Sequence, residues 1–150
     1  MLAETAGAGA AALDTVTLDA VVDQAIAALA ATGLDAAQVD SLQRVEFSIE
    51  DLGGRVLGLA GSNRILIDDD AAGHGWSQLD TSSDDDPAYA GGGSVDLLSV
   101  VLHELGHTLG YGDEDPRVNP DSLMAGVLAP GEHREADSLF IGDDLFNLFD

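Results

Sequence analysis

The chain has 150 residues, enough for one domain with a buried core, and carries 28 acidic side chains against 5 arginines and no lysine, a formal charge of −23. A surface of that sign repels nucleic acid and anionic membrane, which excludes both as partners, and it suits calcium binding or work in high salt. There is no cysteine, so no disulfide frames the fold, and the compartment is left undecided by that count.

Residues 1–16 read as a flexible lead-in, consistent with a domain excised from a longer chain. Met1–Ala12 is rich in Ala and Gly and holds Glu4 but no basic residue, so it lacks the basic start of a secretory signal. No stretch is long and apolar enough for membrane insertion. Residues 17–150 read as one domain with an upper half to about 110 and a lower half from about 111 to 150. Thr17 to Gly33 is expected as a helix capped by Thr17, with Val21, Ala25, Ile26 and Leu29 as its buried stripe. A shorter helix is expected from Asp35 to about Leu42. The period then changes: Val45, Phe47 and Ile49 alternate with polar residues as a half-buried strand. Gly53-Gly54 turns the chain, and Arg55–Ala60 and Arg64–Asp68 follow as strands around Gly61-Ser62-Asn63, a meander. No segment of 1–16 is rich enough in β-formers to supply a strand ahead of the long helix.

After that come Asp68-Asp69-Asp70 and Gly73-His74-Gly75-Trp76. A strand alternates sides, so Asp68 and Asp70 are the pair expected to share a calcium ion, with solvent-facing turn residues as the competing account. His74 reads as a loop residue rather than a ligand, and Trp76 as core or cleft wall. Asp80–Asp86 is a polar loop and a second candidate calcium site, and Ala90–Ser94 is a glycine hinge. The stretch Val95–Asp113 then reads as a helix capped by Ser94, with Leu98, Val101, Leu102, Leu105 and Leu109 on its buried stripe and Gly110 as its stop. It contains His103-Glu104-Leu105-Gly106-His107. On a helix, His103 and His107 lie one turn apart on one face, where both imidazoles reach one metal ion. Glu104 is offset by about 100° and sits beside the ion without ligating it, as the base for a water. Zinc needs a third ligand. Gly110 can turn the chain back, and the Asp113 carboxylate is chemically acceptable in that place. The lower half is short and loop-rich, with Pro116, Pro120 and Pro130. The final Asp143–Asp150 is expected as a short docking helix, with a C-terminal export signal as the alternative.

Together with Ser122-Leu123-Met124-Ala125-Gly126, which looks like a Met-turn, these motifs resemble the metzincin clan of zinc endopeptidases, within it the matrixins, and in the Asp ligand the snapalysin-like enzymes. Asp68–Trp76 and His103–Gly131 are similar to a matrixin-like module near the C-termini of very large bacterial surface and calcium-binding proteins. The likeness covers about residues 45–131 and is densest over 95–131. It implies an α+β fold: a small, twisted, mostly parallel sheet with a backing helix and an active-site helix above the short lower half. It also implies catalytic Zn²⁺ on His103, His107 and Asp113, Glu104 as general base, Met124 as a hydrophobic floor under the metal, and structural Ca²⁺. No Tyr follows Met124, so the tyrosine that assists zinc in some metzincins is missing. The implied function is a secreted zinc metalloendopeptidase acting on protein or peptide substrates, outside a bacterial-type cell or on its surface, as part of a longer chain. Two other readings stand beside it: a site using Glu132 or Glu135 as third ligand, and a non-catalytic, metal-stabilised adhesin module.

Overall fold

The computed structural model describes residues 1–5, 7, 12–77 and 94–140. Helix α1 spans Thr15–Ala31, two residues earlier than expected, because Asp14 is its cap: the Asp14 carboxylate accepts the Thr17 N–H at 2.7 Å. Its buried stripe is Leu18, Val21, Ala25 and Leu29, with Ile26 only partly covered. Helix α2, Ala36–Gln43, begins on a capping box between Asp35 and Gln38.

Three strands follow: β2 (Glu46–Glu50), β3 (Gly58–Ala60) and β4 (Arg64–Asp68). They do not form the expected meander. The order is β2-β4-β3, with β2 and β4 parallel from Glu46 opposite Arg64 to Glu50 opposite Asp68, and β3 antiparallel on the other edge of β4. Burial explains the order. Ile65 and Ile67 of β4 are fully buried, the mark of a central strand, whereas Leu59 of β3 is half exposed. Gly53 and Gly54, both at positive φ, let the chain cross before β3.

Two short parallel pairs complete the framework. Strand β5 (Trp76–Ser77) pairs with β6 (Val95–Asp96), and β6 passes directly into helix α3, Leu97–Thr108. The cap of α3 is therefore Asp96 and not Ser94: its carboxylate accepts the Ser99 N–H. Every residue from Leu97 to Gly106 is buried, so α3 is a core helix rather than an amphipathic one. Helix α1 and strand β3 pack against it. The last pair joins β1 (Leu2–Ala3) to β7 (Val127–Leu128). Here the expectation of a flexible lead-in needs correcting for residues 1–5: Met1 and Ala3 are core residues, because their apolar side chains and backbone fit between two other segments. Strand β1 lies outside the β2-β4-β3 sheet. A 3₁₀ turn, Ala136–Phe140, closes the described part. The architecture is α+β with small sheets of mixed sense. No helix among the described residues is long and apolar enough to cross a membrane. The Asp80–Asp86 loop, most of the 90–94 hinge and the 143–150 segment lie outside the described residues.

Candidate metal centre

Helix α3 carries the buried His103 and the partly exposed His107 in its C-terminal half, and backbone carbonyls fix both rings. His103 Nδ1 donates to the Leu123 carbonyl at 2.8 Å, and His107 Nδ1 donates to the Tyr111 carbonyl at 2.8 Å. A carbonyl only accepts, so each Nδ1 carries a proton and each ring turns its Nε2 the other way. The Nε2 atoms converge. The two Nε2 atoms are 3.1 Å apart, and Asp113 Oδ1 lies 2.9 Å from that of His103 and 3.2 Å from that of His107. Burial, ahead of any charge effect, pushes the His103 pKa below its ordinary value, which favours the neutral ring. Three electron-rich atoms facing each other are repulsive unless a cation lies among them. Ligand atoms on a tetrahedral zinc with bonds of about 2.0–2.1 Å stand about 3.3 Å apart, so these spacings fit a zinc ion with a small outward adjustment.

The chain reaches Asp113 by a sharp reversal. Gly110 takes φ +101°, in the left-handed region, and its N–H returns to the His107 carbonyl while that of Tyr111 returns to Gly106. Residue 114 then runs beside the 122–126 turn. The Glu114 N–H donates to the Met124 carbonyl at 2.7 Å, and the Gly126 N–H to the Glu114 carbonyl at 3.2 Å. Leu123 and Met124 are fully buried in this turn, whose Leu123 carbonyl holds His103. One turn thus orients a histidine and anchors the segment that carries Asp113.

Glu104 is 1% exposed and lies between α3 and β3. Its Oε1 accepts from the Met1 amine at 2.8 Å, and that amine also donates to the Gly58 carbonyl at 2.9 Å. Its Oε2 is buried with no hydrogen-bond partner. The donor set therefore fits zinc: two imidazole nitrogens and a carboxylate oxygen converge, and Glu104, next to His103 in the chain, is a second buried carboxylate with an oxygen that has no partner.

Neither Glu132 nor Glu135 joins the histidines. Glu132 pairs with Arg134 at 3.1 Å, and among the described residues the group containing the histidines is completed by Asp113. The acidic stretch brings the side chains of Asp68 and Asp70 together, as expected of that pair, and its carboxylates also hold the backbone of the turn. Asp68 accepts the Leu52 N–H and the Ala72 N–H on its two oxygens, and Asp70 accepts that of Gly73. The carboxylates that gather with Asp68 are Asp51 and Asp69. Asp70 has its pKa raised, by desolvation first and then by its acidic neighbours. These side chains brace the turn at Ala71 and Ala72, both at φ 55°. His74 contacts the Thr5 carbonyl, and the Trp76 indole donates to the Asp68 carbonyl.

Several contributors escaped the sequence reading. Gly58 has a signal, since an isolated glycine in a strand pattern marks a close backbone approach. Arg134 has none; it is 5% exposed and donates to the Ala125 and Val127 carbonyls at 3.0 and 2.6 Å, holding the strand beside the site. Met1 was assigned to the lead-in. A cleft of about 860 Å³ borders Glu4, Val127, His133 and Arg134 but none of the three converging ligands. Neither a scan of protein-family models nor a search of curated proteins returns a match to this chain.

Proposed function

We propose that the chain is a zinc-dependent endopeptidase of metzincin-like construction, acting outside the cell or on its surface on protein or peptide substrates. The observation that carries the reading is the convergence of His103 Nε2, His107 Nε2 and Asp113 Oδ1 within 3.2 Å of one another, on a helix that also buries Glu104. Bound zinc supplies the Lewis acidity that polarises a carbonyl and acidifies water. The protein groups do the rest. Glu104 accepts the proton of the attacking water and hands it to the departing amine.

The test combines zinc content with cleavage of a mixed peptide library, with and without chelator. The expected result is one zinc per chain, cleavage abolished by chelator, and a loss of about 10²–10⁴-fold in Glu104→Gln, which keeps the volume but not the base. Equal cleavage by parent and variant removes the assignment. Full zinc occupancy with no cleavage by the parent would put the second reading, a non-catalytic adhesin module stabilised by metal, first. Cell fractionation tests the location, and recovery from the cytosol alone would remove it.

A further inference from the structure

We infer that Ser99 and His133 are positioning residues for the metal centre: with Asp96 they lock the rotation of helix α3, and so the aim of His103 and His107, from the opposite end of the helix. This role presupposes the zinc endopeptidase reading of the site, while its readout is ligand geometry and not cleavage. Helix α3 needs such a lock. Every residue from Leu97 to Gly106 is buried, so no polar face turned to solvent fixes the rotation of this part of the helix. Apolar burial is non-directional; it keeps α3 in the core but specifies its rotation only weakly. A metal centre is less tolerant, since a ligand displaced by about 10–20° already leaves its productive geometry. Direction comes from the hydrogen bonds of the polar side chains buried on the helix.

Those bonds form a closed circuit. Asp96, fully buried, gathers three donors on Oδ2: the Ser99 N–H at 3.2 Å, the Ser99 hydroxyl, and His133 Nδ1 at 2.7 Å. Ser99 Oγ in turn accepts the Arg134 N–H at 2.8 Å. The Arg134 guanidinium donates to the Ala125 and Val127 carbonyls, and two residues before Ala125 the Leu123 carbonyl accepts from His103 Nδ1. The lower half therefore grips α3 at two heights, at Asp96–Ser99 and at His103, about 6–10 Å apart along the axis. A rotation of α3 that moved the His103 ring would have to break bonds at both. The hub is also short of donors. Asp96 Oδ1 is buried without a partner, so loss of His133 leaves a buried carboxylate with Ser99 alone. His133 itself is 27% exposed, which lets a smaller side chain replace it without opening the core.

Cobalt(II) is the probe, because its visible absorption bands report the number and arrangement of its ligands. The parent, His133→Ala, His133→Asn and Ser99→Ala are loaded with cobalt(II), and band positions are recorded together with affinity by chelator competition. Ile65→Val, in the central strand β4 and outside the circuit, controls for loss of stability alone. The expected result is shifted bands and at least about fivefold weaker binding in His133→Ala and Ser99→Ala, less than the loss of about 10–100-fold typical when a group touching a ligand is removed. His133→Asn, whose amide nitrogen takes the place of Nδ1 as donor, should bind and absorb like the parent. Parent-like bands and affinity in both alanine variants overturn the positioning role, and so does an equal change in Ile65→Val. A zinc-loaded parent that cleaves nothing, with the alanine variants still shifted, removes the peptidase reading and sustains the positioning. A parent that binds no metal overturns both.

Discussion

Gly58 lies so close to Glu104 that a Cβ on Gly58 would stand 2.9 Å from Oε1 and 3.0 Å from Cγ of the glutamate. Strand β3 can approach α3 this closely only because residue 58 has no side chain, and the approach is what brings the Gly58 carbonyl and Glu104 to one nitrogen. Gly58→Ala should therefore displace the Glu104 carboxylate while leaving the histidines alone. The expected outcome is unchanged zinc stoichiometry, a cost of about 1–3 kcal/mol from overpacking, and a clear fall in kcat. Steady-state kinetics with metal analysis checks it; an unaltered kcat would mean that the position of Glu104 is not critical.

Asp113 is exposed on its outer side, yet its Oδ1 completes the histidine pair. Asp113→Ala should weaken zinc affinity and cleavage together, because two imidazoles alone hold zinc poorly. Asp113→His should retain the metal, since a third imidazole serves equally as a ligand. Competition with a chromogenic chelator measures both. Parent-like affinity in Asp113→Ala would reassign the third ligand.

Arg134 ties the 125–127 segment to the body of the lower half through two carbonyls, although its own Nε is buried without a partner. Arg134→Met keeps much of the volume and leaves both carbonyls unsatisfied. Each charged hydrogen bond of this kind contributes about 1.5–3 kcal/mol, so the variant should melt measurably earlier. The wall for an extended peptide should loosen with it, so KM should rise more than kcat falls. A melting curve equal to the parent's would show that these bonds contribute nothing.

His133 donates from Nδ1 to Asp96 at 2.7 Å, and that hydrogen bond, opposed by desolvation and aided by the Asp96 charge, raises its pKa. The folded value thus lies above the unfolded value of 6.5. The stabilisation is fully present below 6.5 and is lost as pH rises through the folded pKa. Burial of His103 acts with the opposite sign, costing stability as pH falls, so the comparison must be with His133→Ala and not with the raw curve. The difference in melting temperature between parent and His133→Ala should shrink as pH rises from acid to alkaline. A difference independent of pH would assign the contact to packing alone.

The legible parts of the fold are those set by near neighbours in the chain. The i, i+4 spacing of His103 and His107 on an apolar helix is enough to aim both rings at one point. Gly110, through its positive φ, is enough to foretell a reversal towards Asp113. Asp35 and Gln38 foretell a capped helix by the same local logic. Caps three residues away were misplaced where two residues could serve: Asp14 took the role expected of Thr17, and Asp96 that of Ser94, because a carboxylate in each case reaches the free N–H. Strand order was not legible either. A period of two marks a strand but not its neighbours, and only the complete burial of Ile65 and Ile67 places β4 between β2 and β3.

The sequence by itself determined the helix, its two imidazoles, the carboxylate between them and the turn that follows, because backbone geometry over a few residues fixes their relative positions. Only the tertiary structure decided what stands against Glu104. Met1 is 103 residues from it in the chain, and Gly58 is 57 residues from Met1. No local period encodes contacts of that span; they follow from which apolar segments fill the space between β3 and β7 once the core has closed. Ala3, small and fully buried, and Gly58, with no side chain at all, leave just enough room for a strand to lie there and carry an amine to the glutamate.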